Sequence, residues 1–168
     1  VVFPQCPTNS NWNSASYDRT KTPLELKFDY SKQPTVALEM VFQLLEKLRN
    51  EEAVDEKRTY VTGLSMGGMG TFEAVWRHPE MFAAAAPICG GGDWKSYFKA
   101  AASVPFWIFH GDADAVVEVR FSREMYKRLK DLEGDVKYSE YSGVNHNSWD
   151  SAFAEKEFLG WMFSRSKK

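Results

Sequence analysis

The sequence predicts an α/β fold: a mostly parallel sheet with helices on both faces. Two observations carry that reading. From Thr59 onward, short β-branched and aromatic runs alternate with helical patterns, as βαβ units with right-handed crossovers require. The strand-like runs are also continuously apolar, as strands buried on both faces are.

The elements follow in order. Val1-Val2-Phe3-Pro4 reads as a strand already in progress. Residues 8–23 make a long polar loop, either a pocket lip or a mobile segment. Residues 34–50 predict a strong helix with Val36, Met40, Leu44, Leu45 and Leu48 as its apolar face. Residues 58–62 are β-branched and aromatic, so a strand. Residues 66–77 are helical in pattern and stop at His78-Pro79. Residues 82–88 read as a buried strand running into Cys89-Gly90-Gly91-Gly92, and 94–101 as a short helix. Residues 105–110 are a second buried strand, closed by Gly111-Asp112. Residues 118–132 are amphipathic, with Phe121, Met125, Leu129 and Leu132 at helical spacing, and Gly134 ends that helix. A strand at 136–141 and a helix at 149–164 complete the chain.

Length and composition set the bounds. The 168 residues suit a single domain over 1–168. Apolar residues make up 43% and charged residues 26%, the balance of an ordinary globular protein. A net charge of −2 leaves no electrostatic footprint for nucleic acid or an anionic membrane. Only Arg165, Lys167 and Lys168 cluster, which a solvated terminus explains. No apolar run approaches the ~20 residues of a membrane helix, and no signal-peptide pattern opens the sequence. Cys6 and Cys89 are too few for a disulfide framework and lack CxxC spacing. Both are expected reduced and partly buried.

In parallel sheets of this kind, function collects at the carboxyl ends of strands. That picks out Cys6-Pro7, Gly63-Leu64-Ser65, Cys89 to Asp93, His110 to Asp114, and the turn holding Asn145 and His146. Gly63-Leu64-Ser65-Met66-Gly67 matches G-x-S-x-G between a predicted strand and a predicted helix, the nucleophile elbow of the α/β-hydrolase fold. The serine must sit on a strained, very tight turn for its Oγ to be exposed. Side chains two before and two after it are expected to collide, so both positions favour glycine. The Met66 backbone N–H then faces a developing oxyanion.

In this fold the acid and then the histidine follow the nucleophile along the chain. Asp112 and Asp114 both follow a strand. Asp114 is favoured as the acid, because Asp112 adjoins Gly111 and suits turn closure. Of three histidines, His78 precedes Pro79 at a helix end, and His110 ends a strand, where packing the acid loop is its expected role. His146 lies where the fold puts its base. His146 would take the Ser65 proton as Ser65 attacks a carbonyl, with Asp114 holding the imidazole, and water would release the acyl-enzyme. No metal or organic cofactor is needed. His110, Asp112 and Asp114 lack a further soft or nitrogen ligand nearby to make a metal set.

Several stretches carry a family resemblance: Val-Phe-Pro-Gln-Cys-Pro at 2–7, Tyr-Val-Thr-Gly-Leu-Ser-Met-Gly-Gly at 60–68, Ala-Ala-Pro-Ile-Cys-Gly-Gly-Gly-Asp at 85–93, Phe-His-Gly-Asp-Ala-Asp at 109–114, and Tyr-Ser-Gly-Val-Asn-His-Asn-Ser-Trp at 141–149. Together they resemble the bacterial phospholipase/carboxylesterase-like hydrolases, the predicted peptidases related to dienelactone hydrolase. The resemblance implies nucleophile Ser65, acid Asp114 and base His146. It implies hydrolysis of short-chain or carbohydrate-linked esters, such as acetyl or feruloyl groups. Many relatives are secreted or periplasmic. The family also carries a His-Gly-rich loop after its third strand that donates a second oxyanion N–H, and nothing like it is present here. By the family's order Val1 to Phe3 would be the fourth strand. The first three strands are then expected to come from a missing N-terminal segment or a second chain, and Val1 to Phe3 is not expected to pair with the Thr59 strand. In the same order Cys6 and Cys89 lie on non-adjacent strands, too far apart for a disulfide.

Trp12, Trp94 and Trp149 fall in loops at the catalytic end, where they would wall a sugar or phenolic group, or simply pack. Gly91 and Asp93, past the 82–88 strand, are further candidate substrate contacts. The rival readings are a serine peptidase or acyltransferase of the same fold, and a silent binding scaffold. A complete Ser, Asp, His set argues against the last.

Overall fold

A computed structural model describes residues 1–167 of the chain. Lys168, part of the basic tail, lies outside the described residues. A small antiparallel hairpin comes first, β1 (Ser16–Asp18) and β2 (Glu25–Lys27). Then follow α1 (Val36–Glu51), β3 (Tyr60–Leu64), α2 (Met66–Arg77), β4 (Ala84–Ile88), α3 (Lys99–Ala102), β5 (Phe106–Gly111), α4 (Arg120–Asp131), β6 (Val136–Tyr141), α5 (Trp149–Ala154) and α6 (Phe158–Phe163). The last four strands form one parallel sheet in the order β3-β4-β5-β6. Each neighbour follows its predecessor through a helical crossover.

The pleat sorts the apolar strands between two cores. Ala85, Phe106 and Ile108 face α1, α2 and α4, packing with Phe42, Phe72 and Met125. Ala84, Ala86, Trp107 and Phe109 face the opposite layer, against Phe158 and Met162 of α6. Both sheet faces are therefore covered, which is why the strands show no polar alternation. All three described β–α turns after β3, β4 and β5 emerge on one edge of the sheet.

Local chemistry sets most boundaries. The Thr35 hydroxyl caps α1 by accepting from the Leu38 N–H at 3.2 Å. Pro79 follows α2 directly, after His78 closes it. Three expectations are corrected. The predicted helix at 94–101 shrinks to α3, because Asp93 accepts from the Ser96 hydroxyl at 2.5 Å and closes a turn that competes with the helix. The predicted helix at 149–164 is two helices. The chain turns extended at Glu155, which accepts from the Tyr141 hydroxyl, and the re-aimed α6 buries Phe158 and Met162. On α1, Leu38 and Phe42 are buried, while Val36 is 76% and Met40 61% exposed. The helix is thus rotated from the expected face. Its sequence offers two overlapping apolar stripes, and contact of Phe42 with His78, ring centroids 4.4 Å apart, selects one of them.

Val1 to Phe3 forms no strand and is exposed, contrary to its local sequence. As expected, it does not pair with β3, whose outer edge has no partner among the described residues. Cys6 and Cys89 are free and buried. No described helix is long and apolar enough to cross a membrane.

Candidate active site

The turn from β3 into α2 places Ser65 at φ 53° and ψ −114°. A left-handed φ at a residue with a Cβ costs on the order of 1–3 kcal/mol. The surroundings hold it there: the Ser65 N–H donates to the Ile88 carbonyl at 2.9 Å, and its own carbonyl accepts from the Met69 N–H at 3.0 Å. Gly63 is required, since a Cβ there would lie 2.4 Å from the Gly67 carbonyl oxygen. A Cβ on Gly67 would meet nothing within 4 Å. The crowding expected on both sides of the serine is therefore one-sided. Met66 opens α2, so its N–H has no intrahelical acceptor and is free for an oxyanion.

Ser65, His146 and Asp114 come together from three loops. Asp114 follows β5 and His146 follows β6. His146 Nδ1 lies 2.8 Å from Asp114 Oδ2, and His146 Nε2 lies 2.9 Å from Ser65 Oγ. Burial by itself would push the Asp114 carboxyl up. Hydrogen bonds from His110, His146 and the N–H groups of Val117 and Val116 outweigh it and hold the group well below the ordinary carboxylate range. Asp114 is thus an anion, which makes Nδ1 of His146 the donor and leaves Nε2 to accept the Ser65 hydroxyl proton.

The hydrogen-bond partners of two supports escape a sequence reading. His110, fully buried, sets Nε2 at 3.1 Å from Asp114 Oδ2 and 3.0 Å from the Val117 carbonyl. Both neighbours are acceptors only, so this nitrogen carries a hydrogen. The other ring nitrogen lies 2.7 Å from the Ser122 hydroxyl on α4. The expected packing role of His110 is therefore also a polar one, fixing the carboxylate from behind. Asn145 Oδ1 accepts from the Ala115 N–H at 2.9 Å and the His146 N–H at 2.7 Å, tying the base loop to the acid loop. Asp112 accepts from the Gly143 N–H at 2.6 Å and so closes the β6 turn rather than its own. An adjacent Gly-Val-Asn-His string was the available signal for Asn145; only the tertiary structure shows its partner. Asn145→Ala is expected to lower kcat/KM several-fold through misplacement of His146, checked on a p-nitrophenyl ester.

Cys89, at φ 41°, sits beneath the triad. Cys89, Asp114 and His146 offer ligand atoms within 4.8 Å of one another. The donor set does not suit an ion. Both Asp114 oxygens already accept hydrogen bonds, and burial pushes the Cys89 thiol up to about 12. Cys89 is expected to resist iodoacetamide in the folded chain and to alkylate readily in guanidinium. Alkylation of the native protein at a free-thiol rate would contradict this burial.

The depressed carboxyls also set acid sensitivity. A folded-state value below the unfolded one adds stability that is complete above the unfolded value, ~3.9 for Asp and ~4.3 for Glu, and is lost as pH falls through the folded value. This holds for Asp114 and for Glu140, which the Arg123 guanidinium holds at about 2. Thermal melts are expected to be nearly flat in these terms above about pH 5 and to fall steeply below about pH 4.

An open cavity of about 400 Å³ lies in front of Ser65 and Met66. Gln5, Thr8, Tyr17, Arg19, Leu24 and Met69 help to line it. The polar loop at 8–23 is therefore its lip. None of Trp12, Trp94, Trp149, Gly91 or Asp93, the candidate substrate contacts, is among its lining residues. Trp12 packs onto α2, so close that a Cβ on Gly70 would lie 2.7 Å from its own Cβ. Trp94 is exposed beneath the Lys95 ammonium. Trp149 stands edge-on to the His146 ring at 5.6 Å and supports the base. Gly91 lies under Phe121, and Asp93 holds Ser96 and the Tyr30 N–H. The hairpin β1–β2, whose three-residue strands are too short to show a pattern, supplies the wall instead.

Comparison with known proteins places this geometry. Residues 26–160 match the family described as Phospholipase/Carboxylesterase. The chain is 33% identical over 99 residues to the bifunctional acetylxylan esterase/xylanase XynS20E of Neocallimastix patriciarum, covering 59% of this chain and 15% of that protein. It is 41% identical over 49 residues to poly(3-hydroxyalkanoate) depolymerase C of Paucimonas lemoignei, covering 29% of this chain and 12% of that protein. The crystal structure of a thermostable esterase superposes with a TM-score of 0.82 at 36% identity, over 97% of this chain and 43% of that one. The chain thus spans less than half the length of each of these relatives.

Proposed function

The chain belongs to the phospholipase/carboxylesterase family, and from that premise we propose that it is a serine carboxylesterase acting on short-chain or carbohydrate-linked esters, of the acetyl or feruloyl type, through an acyl-enzyme. One observation carries the reading: the unbroken chain from Ser65 Oγ to His146 to Asp114, at 2.9 and 2.8 Å. The Ser65 Oγ attacks the ester carbonyl as His146 Nε2 takes its proton. The Asp114 carboxylate stabilises the resulting imidazolium. The Met66 N–H stabilises the tetrahedral oxyanion. The imidazolium then protonates the departing alcohol, and water, deprotonated by the same nitrogen, releases the acid.

The likeness to an acetylxylan esterase supports the acetyl arm of the proposal. Among the described residues β3 is an edge strand with no partner on its outer side, and a segment or second chain pairing there would be the source of a second oxyanion donor. The test is labelling by a fluorophosphonate probe, followed by turnover of p-nitrophenyl acetate, butyrate and octanoate beside methyl ferulate. Ser65-dependent turnover of acetate or ferulate above octanoate is expected. Absence of both labelling and turnover sinks the esterase reading for this chain. Turnover confined to peptide substrates would favour a peptidase of the same fold.

A further inference from the structure

The cavity in front of Ser65 has a single charged side chain in its lining, Arg19. That arginine differs from the other seven. Arg49, Arg77, Arg120, Arg123 and Arg165 each pair with a carboxylate. Arg58 and Arg128 donate to the carbonyls of Phe163 and Tyr97. Among the described residues Arg19 has neither a hydrogen-bond acceptor nor an ion pair. Its guanidinium carbon stands 5.4 Å from the centroid of the Tyr17 ring. That ring is itself anchored, its hydroxyl 2.8 Å from Oδ1 of the buried Asn13. The neighbouring Asp18 carboxylate is taken by the N–H and hydroxyl of Thr20. The cavity's remaining polar lining, including Gln5, Thr8 and Asn11, carries no charge.

A guanidinium stacked on a fixed aromatic ring is oriented before a ligand arrives, and its fork of donors matches a carboxylate. Among the described residues no anion pairs with it, which leaves this exposed fork open to one carried by a ligand. Resting on the esterase reading above, we propose that the Ser65 cavity selects esters that themselves carry a free carboxylate, which Arg19 binds. Such an ester is a monoester of a dicarboxylic acid, or an ester whose alcohol half is acidic. The bond broken is the same acyl–oxygen bond; the carboxylate serves only to seat the substrate.

Two matched pairs test this. Mono-4-nitrophenyl glutarate is compared with 4-nitrophenyl pentanoate, and 4-acetoxybenzoate with 4-acetoxybenzamide. In at least one pair the charged ester is expected to show a kcat/KM about fivefold higher, the upper end for a partly exposed ion pair. That ratio is expected to fall to near one in Arg19→Gln, to survive in part in Arg19→Lys, to invert in Arg19→Glu, and to shrink in 0.5 M NaCl. A ratio near one in the parent for both pairs, or one that survives Arg19→Gln, overturns the proposal. If no ester is turned over in a Ser65-dependent way, it is the esterase reading that fails. Anion selection is then read by calorimetric binding of monomethyl glutarate and methyl pentanoate to the Ser65→Ala chain. Stronger binding of the glutarate that depends on Arg19 upholds the selection, and equal or absent binding overturns it.

Discussion

Ser65→Ala is expected to lower ester turnover by a factor of about 10⁴ or more, with a melting temperature within a few degrees of the parent. Alanine removes the attacking oxygen and one hydrogen bond, to His146 Nε2. It keeps the backbone that Gly63 and Ile88 hold in its left-handed conformation, so the strain is unchanged and the fold has little reason to respond. What remains is stabilisation of the oxyanion by the Met66 N–H and the binding energy of the cavity. In the proposed proton relay the three groups act as a unit, so the loss is not expected to be additive: Ser65→Ala with His146→Ala is expected to be no slower than Ser65→Ala alone. Steady-state kinetics on p-nitrophenyl acetate with freshly purified variants measure both. Residual turnover within tenfold of the parent would mean another group performs the attack.

Glu73→Leu is expected to cost about 3–5 kcal/mol of folding stability, which for a chain of this length lowers the melting temperature by about 10 °C. Glu73 is fully buried on α2. Its Oε1 accepts from Arg77 Nε and Nη2 at 2.9 and 2.6 Å, and its Oε2 accepts from the Ser14 N–H at 2.7 Å. Arg77 also donates to the Lys32 carbonyl. One carboxylate therefore fastens the segment before β1 to the helix that begins at Ser65. Leucine fills the volume but leaves a nearly buried guanidinium without its counter-ion, with only the Lys32 carbonyl as acceptor, and the Ser14 N–H without any; the cost is that of the orphaned groups. The double variant Glu73→Leu, Arg77→Leu is expected to recover much of the loss, since no unpaired charge remains. Denaturant unfolding of Glu73→Leu, Arg77→Leu and the double variant tests it; a double variant as unstable as the sum of the singles would show that the two groups are uncoupled and that the orphaned charge does not set the penalty.

The same carboxylate explains why the pocket is harder to read than the Ser65, Asp114 and His146 set. Ser65 announces itself because the elbow needs glycine at 63 in a strand–turn–helix setting, and that constraint lies within five residues. Asp114 and His146 are found by chain order behind β5 and β6. Helix 66–77 and strand 136–141 are legible to the residue, the first because Gly63 and Pro79 punctuate it. His110 and Asn145 carry no such local mark. The importance of His110 lies in facing Asp114 Oδ2 and Ser122 Oγ, and that of Asn145 in crossing thirty residues to the Ala115 N–H. The tryptophans stay open in the sequence for a related reason: an aromatic residue in a loop looks the same whether it lines a cavity or, like Trp12 on Gly70, covers a helix.

The sequence by itself determined the order of the elements from Thr59 to Tyr141, the parallel sheet, the strained serine turn and the identity of the three residues that converge on it. These depend on backbone conformation and on periodicity, which act over a few residues and leave a pattern in the chain. The tertiary structure alone decided which stripe of α1 is buried, where α5 gives way to α6, and which side of Ser65 holds the cavity. Those outcomes are competitions between surfaces of similar hydrophobicity, settled by shape and by long-range hydrogen bonds such as Ser14 to Glu73. The wall that carries Arg19 is held by that bond and by Leu26, Tyr17 and Leu24 packing in one cluster with Met69 of α2.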